Sequence, residues 1–308
     1  MDLTLLADPV FLCQNLVDGV ARGSLYTVYA MGFTLIFGVL DIINLAHAAT
    51  FMWCAFAGWM VMSWLGLPLP LGMAAAMAAG ALLATALELA AFRPLRNAGA
   101  DRLSSMISSI GASLILVSVA EAVFGVGTRR FPDGVLDPRP FLLGGRGGVR
   151  VGRAQILIVV AALLLSGALS ALIRRTPLGK AIRAVAASPR TARLLGIDVD
   201  AVVVVTFVTA GALAGAAGIL VGLLTNNIAP GMGAQIELRG LAVVILGGMG
   251  SIGGAVLGGL ILGLVETFTI AYVPGGGEAK DAIAFIILFL ILLVRPNGIL
   301  GRPSADRA

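Results

Sequence analysis

The sequence predicts an all-α polytopic membrane protein with about eight transmembrane segments, and three observations predict it. Charged residues make up 12% of the chain, against about 25% in ordinary soluble domains. The mean hydropathy is +1.02 and 59% of residues are hydrophobic. Several uninterrupted apolar runs reach the roughly 20 residues needed to cross a hydrocarbon core. A β-barrel would instead need short alternating segments.

The apolar segments run over about 15–40, 46–65, 69–92, 104–126, 154–173, 199–224, 240–272 and 281–294. The first and seventh exceed one straight span and are expected to be tilted or broken. The last is short, so it should begin before Asp281 or reach past Val294. Residues 1–10 hold two aspartates and no basic residue, unlike a cleavable signal peptide, so the first segment is expected to stay. Thr225, Asn226 and Asn227 end a span. The whole of 1–308 reads as one transmembrane unit.

A net charge of +5 arises from 21 basic residues, nearly all arginine, against 16 acids. Loop arginines that orient the spans explain this better than nucleic-acid binding. Arginine-rich stretches lie at 93–102, 127–153, 174–198 and in the tail, with Arg295, Arg302 and Arg307. One span separates 127–153 from 174–198, so both cannot be cytoplasmic, although each holds six basic residues, with Arg146 among the first six. The 127–153 loop, with its Gly, Pro, Asp133 and Asp137, is placed outside, a periplasmic loop if the membrane is a bacterial inner one. If 174–198 and the tail are both cytoplasmic, an even number of crossings separates them. Splitting 240–272 at Gly247, Gly248, Gly250, Gly253 and Gly254 supplies that parity, giving a broken helix that could line a pathway.

Residues 174–198 carry their own helix punctuation. Thr176-Pro177 and Ser188-Pro189 each pair an N-cap with proline at the first helical position. Gly196 suits a C-terminus that needs positive φ. Two short helices outside the bilayer are expected, with Lys180, Arg183, Arg190 and Arg193 on their surfaces. Such an element suits docking of a soluble partner, the plainer alternative being an ordinary positive-inside loop.

Glycines spaced by four, at 211/215, 218/222, 250/254, 254/258 and 259/263, would let helix backbones approach closely in lipid. No broader internal repeat is visible. Among intramembrane polar residues, Glu121 and Glu266 are candidate pathway groups, while Glu88 sits near Arg93 and reads as interfacial. Asn44 and His47 share a helix face and either bond across helices or meet a polar solute. The lone histidine cannot build a metal site. Cys13 and Cys54 form no redox or metal pattern and read as packing residues. No phosphate-binding loop of the G-x-x-x-x-G-K-[ST] type occurs, and no nucleophile–histidine–acid set can be assembled. The chain is therefore expected to be a non-enzyme without its own ATP site, metal or cofactor.

Six stretches in order resemble one family: YTVYAMGFTLIFGVLDIINLAHA (26–48), FRPLRNAGADRLSSMISSIGASLIL (92–116), GKAIRAVAASPRTARLLGIDV (179–199), LAGAAGIL (213–220), VILGGMGSIGGAVLGGLILGLVE (244–266) and LLVRPNGILG (292–301). The chain resembles the LivH-type permease subunits of branched-chain amino acid ABC importers. The resemblance implies a multi-pass subunit of the bacterial inner membrane, beside a homologous second permease. Two ATP-binding subunits and a periplasmic solute-binding protein would complete the assembly, with no nucleic acid. It also implies coupling to the ATPase through Arg183, Ala184, Ala187, Ala192, Arg193 and Gly196. Alternating access would follow, past Asn44, His47, Glu121, Gly247, Gly248, Gly250 and Glu266. An ion-coupled secondary transporter, working alone through Glu121 or Glu266, is the rival class, and a membrane scaffold the third.

Overall fold

In a computed structural model, the described residues are 8–132, 134–135, 139–143 and 148–301. Asp133, Asp137, Arg146, Arg302 and Arg307 lie outside them. Among the described residues twelve α-helices run in order: α1 Pro9–Leu40, α2 Ala46–Trp64, α3 Leu69–Leu87, α4 Arg93–Asn97, α5 Arg102–Phe124, α6 Arg153–Arg175, α7 Pro177–Ala187, α8 Pro189–Leu194, α9 Val199–Thr225, α10 Met232–Gly247, α11 Ile252–Tyr272 and α12 Gly276–Val294. A π-turn, Glu88–Phe92, joins α3 to α4 without a break. Six of the spans are long and apolar enough to cross a membrane by length and composition alone. With α2, α10 and α12 they make a nine-helix bundle, the number obtained when the seventh predicted segment is split.

That split is real. Gly248 and Gly250 adopt φ of 101° and 81°, the left-handed region where a side chain is strained. The chain reverses there between α10 and α11. The first segment, by contrast, is one unbroken 32-residue helix. The last begins at Gly276, before Asp281.

The two ends of the bundle sort the loops as parity requires. Arg129 and Ile228 exchange backbone hydrogen bonds of 2.8 Å, joining the 127–153 loop to the end of α9. The Trp59 indole donates to the Arg130 carbonyl, and Gln14 bonds the Arg150 backbone in both directions. A short hairpin, β1 Phe141–Leu143 with β2 Val149–Val151, lies in the same loop. At the opposite, inner end, Ile299 and Leu300 donate to Leu246 and Gly247, and α7 packs on α1. Four helices, α9 to α12, separate α8 from the tail.

α1 and α9 form the centre, and α11 and α3 respectively cover them most extensively. These contacts are backbone on backbone. A Cβ added at Gly80 would strike the Gly211 carbonyl, and one at Gly263 would strike Gly23. Without water to drive helices together in lipid, such close van der Waals contact supplies the association energy.

The same arrangement contains an inverted repeat that the sequence does not display. α1 and α9 each end on a left-handed residue, Asp41 (φ 54°) and Asn226 (φ 46°), the only non-glycine residues of positive φ among those described. A short non-helical segment follows each, then α2 and α10. Gly32 packs on His47, 2.9 Å from the imidazole Cε1 to an added Cβ. Gly32 lies eight residues before the end of α1, so α2 begins about 12 Å back inside the bundle. An added Cβ on Gly233 would lie 2.6 Å from the Ala48 carbonyl, so the N-terminal turns of α2 and α10 meet. From there α2 leads to the outer end and α10 to the inner end. The re-entrant 41–45 segment is held by the Leu45 N–H donating to Ser109 Oγ at 3.2 Å and by an Asp41–Arg102 ion pair.

The glycine contacts make a sharp prediction. Gly80→Leu or Gly263→Leu should destabilise the bundle by about 1–3 kcal/mol or prevent folding, read as a lower thermal midpoint in detergent. Gly167→Leu, where an added Cβ meets nothing within 4 Å, should leave the midpoint unchanged.

Candidate functional site

The two short helices of 174–198 form as the punctuation predicts. Thr176 Oγ1 accepts from the Gly179 N–H at 3.0 Å and Ser188 Oγ from the Thr191 N–H at 3.2 Å. Gly196 has φ 79°. α7 is amphipathic: Ile182 and Val185 are buried, and Lys180 and Arg183 are exposed. The Arg183 guanidinium also reaches back to the Ile173 carbonyl at the end of α6. Arg190, Arg193, Ala187 and Gly196 are exposed. Ala192 is not: it is 1% exposed, and Ala184 packs on the buried cluster beneath α7. Their small side chains seat the two helices on the bundle, so neither presents the open small-residue surface expected of it. Leu194 and Leu195 do stand clear, 82% and 74% exposed. Two leucines in water beside four basic side chains make a surface fit for an acidic, partly apolar groove.

Arg183 and Gly250, assigned to coupling and pathway respectively, line one cavity of about 90 Å³ with Thr34, Gly38, Ile182 and Ala186. The glycine cluster thus sits at the inner end beneath α7 and does not interrupt the pathway at mid-depth. Gly247 packs on Gly254, and Gly248 on the tail at Gly301. A second cavity, about 140 Å³, opens between Leu40, Phe92 and Arg102.

The carboxylates divide. Glu266 is fully buried; its Oε2 accepts from Tyr26 Oη at 2.6 Å and its Oε1 lies 3.1 Å from Arg239 Nε. Arg239 also bonds Asp281 at 3.0 Å, so α1, α10, α11 and α12 share one ionic knot. Glu266 is a pin and not an open pathway group. Glu88 is also fully buried and pairs with Arg96 at 2.8 Å, not with Arg93; Arg96 continues to Asp200 at 3.0 Å. Glu121 is exposed on α5, one turn from its outer end, outside the bundle interior. Cys54 is buried, whereas Cys13 is exposed.

Asn44 serves locally: its Oδ1 accepts from the Ala46 N–H at 3.1 Å, capping α2. His47 is 2% exposed, ringed by Tyr29 (5.0 Å between centroids) and Phe33 (6.0 Å). Glu237 and Arg239 were missed, because 226–239 reads as a polar loop when it contains the first half of α10. The signal available was the spacing of Gly233, Ile236 and Gly240, all buried on one face.

A closed bundle of inverted, discontinuous helices with two exposed basic helices at one end is the architecture of a membrane permease. The chain matches the family model described as "Branched-chain amino acid transport system / permease component" over residues 15–292, and it belongs to that family. It is 38% identical over 304 residues to the high-affinity branched-chain amino acid transport system permease protein BraD of Pseudomonas aeruginosa, covering 96% of this chain and 97% of that one. To LivH of Escherichia coli K12 it is 33% identical over 308 residues, 97% and 98% of the two chains. To a probable LivH of Methanocaldococcus jannaschii it is 30% identical over 300 residues, 93% and 91%.

Arg239→Met should leave the Glu266 carboxylate buried without its counter-charge and lower stability by about 3–5 kcal/mol. Thermal unfolding in detergent should show the loss, with substantial recovery in Arg239→Met/Glu266→Leu.

Proposed function

We propose that this chain is the permease subunit of an ATP-driven importer of branched-chain amino acids or closely related small solutes in the bacterial inner membrane. The family match over residues 15–292 carries the reading. Its partners are a homologous second permease, two ATP-binding subunits seated on α7 and α8, and a periplasmic binding protein that delivers solute to the outer end. ATP is bound by the partners, and this chain holds no cofactor. Hydrolysis shifts the populations of outward- and inward-facing arrangements of the bundle. Solute leaves past the glycine turn and the cavity beneath α7.

The basic, leucine-tipped surface of α7 and α8 supports the docking role. Ion-coupled transport draws no comparable support, since Glu266 is locked to Arg239 and Glu121 stands outside the bundle interior.

The test is purification of the tagged chain in mild detergent from its own host, with identification of what accompanies it. A P-loop ATPase should co-purify and should be lost from Leu194→Asp/Leu195→Asp, from Arg183→Glu, and when residues 180–196 are scrambled. Gly196→Leu should add about 1–2 kcal/mol of backbone strain at positive φ and weaken the same association. Retention of the ATPase and of ATP-driven leucine uptake in all these variants would remove the docking role.

A further inference from the structure

The ionic knots leave a second set of polar groups without partners, at the depth where α2 and α10 begin. Tyr29 Oη, His47 Nε2 and Glu237 Oε1 are buried and accept or donate no hydrogen bond. Tyr29 and His47 are 0% and 2% exposed. Three helices bring these side chains together. The Tyr29 and His47 rings lie 5.0 Å apart across α1 and α2. On α10, Gly233 packs on Ala48 of α2 and Gly240 on the Tyr29 ring. Glu237 lies between them at helical spacing on the same face, which places it toward the α1–α2 junction, with Oε1 buried and unpaired.

An unpaired polar group in a dry interior costs roughly 1–3 kcal/mol, and three together call for an explanation. Their chemistry supplies one. Glu237 offers a negative acceptor. The meeting N-termini of α2 and α10 offer positive potential, and no side chain caps α10. Tyr29 Oη can donate beside them, with the His47 ring packed against it. Phe33 and Phe51 complete an apolar wall, edge-on to His47 and Tyr29.

We infer that this junction is a transient binding station for a zwitterionic, apolar α-amino acid during translocation, closed in the present arrangement. Glu237 takes the ammonium group, and Tyr29 and the helix N-termini take the carboxylate, with the His47 ring as part of the wall. The inference rests on the importer reading above and names the solute contacts within it.

The experiment uses the importer purified with its partners and reconstituted in lipid vesicles, in a Cys13→Ala/Cys54→Ala background. Absence of ATP-driven leucine uptake by the unmutated assembly would overturn the importer reading itself. Given uptake, Glu237→Gln and Tyr29→Phe should each lower kcat/KM for leucine by about tenfold to a hundredfold, with thermal midpoint and subunit composition unchanged. Glu237→Cys should react with a small cationic thiol reagent during ATP turnover, and saturating leucine should slow that reaction. The station is overturned if both Glu237→Gln and Tyr29→Phe transport like the parent, or if losses follow only from lowered stability. It is also overturned if the Glu237→Cys variant is unreactive in turnover or reacts at a rate indifferent to leucine.

Discussion

Backbone contact between helices is the constraint on which the rest of this structure depends. In lipid no water drives leucine against leucine, so stable association needs atoms close enough for dispersion to accumulate. Gly80 on Gly211, and Gly263 on Gly23, bring α3 onto α9 and α11 onto α1 with nothing between the backbones. That closeness makes α1 and α9 interior helices, and it creates the dry space in which charges must pair. Glu88 and Glu266, both fully buried, are then tolerable only because Arg96 and Arg239 reach them. The ion pairs do not drive assembly; breaking one is costly, and this makes them registers that fix which turn of one helix faces which turn of the next.

The inverted repeat follows from the same packing. α1 with α11 and α9 with α3 form two equivalent close pairs of opposite direction. Each central helix ends in a left-handed residue that turns the chain back toward mid-depth. Non-helical backbone at that depth is tolerable only inside protein, and Ser109 and Asn44 satisfy part of it on one side. Two short helices therefore start from the centre and leave in opposite directions, a geometry that membrane transporters use around a solute.

Much of this was legible in the sequence where a local rule decides the outcome. Thr176-Pro177, Ser188-Pro189 and Gly196 punctuate helices by chemistry confined to a few residues, and α7 and α8 form where that chemistry puts them. The glycine run at 247–254 broke the seventh segment as parity demands. Properties set by three-dimensional neighbours were not legible. Hydropathy gives the depth of Glu121 but not its face, and the face is what excludes it from the interior. Glu237 and Arg239 made the first half of α10 look like a loop, because a window average counts a charge as exposed until its partner is known. Ala192 resembles a surface contact in the linear motif, yet helical phase turns it inward. The repeat escaped notice because Asp41 matches Asn226, and Ala48 matches Gly233, in backbone role and not in residue type.

The position of α7 ties the exposed helices of 174–198 to a central helix of the bundle. Ile182 and Val185 are buried beneath α7, and the cavity under it is walled by Thr34 and Gly38 of α1. α1 is a single 32-residue helix with proline only at its start, so no internal proline breaks it between its two ends. A tilt of its inner end is carried along the helix to Tyr29, among the unpaired groups, and to Tyr26, hydrogen-bonded to Glu266. The charge-assisted bond from Tyr26 to Glu266 ties α1 to α11 about one turn away from Tyr29. On the proposed coupling role, a shift of α7 reaches Tyr29 through α1, a continuous helix that α7 packs against.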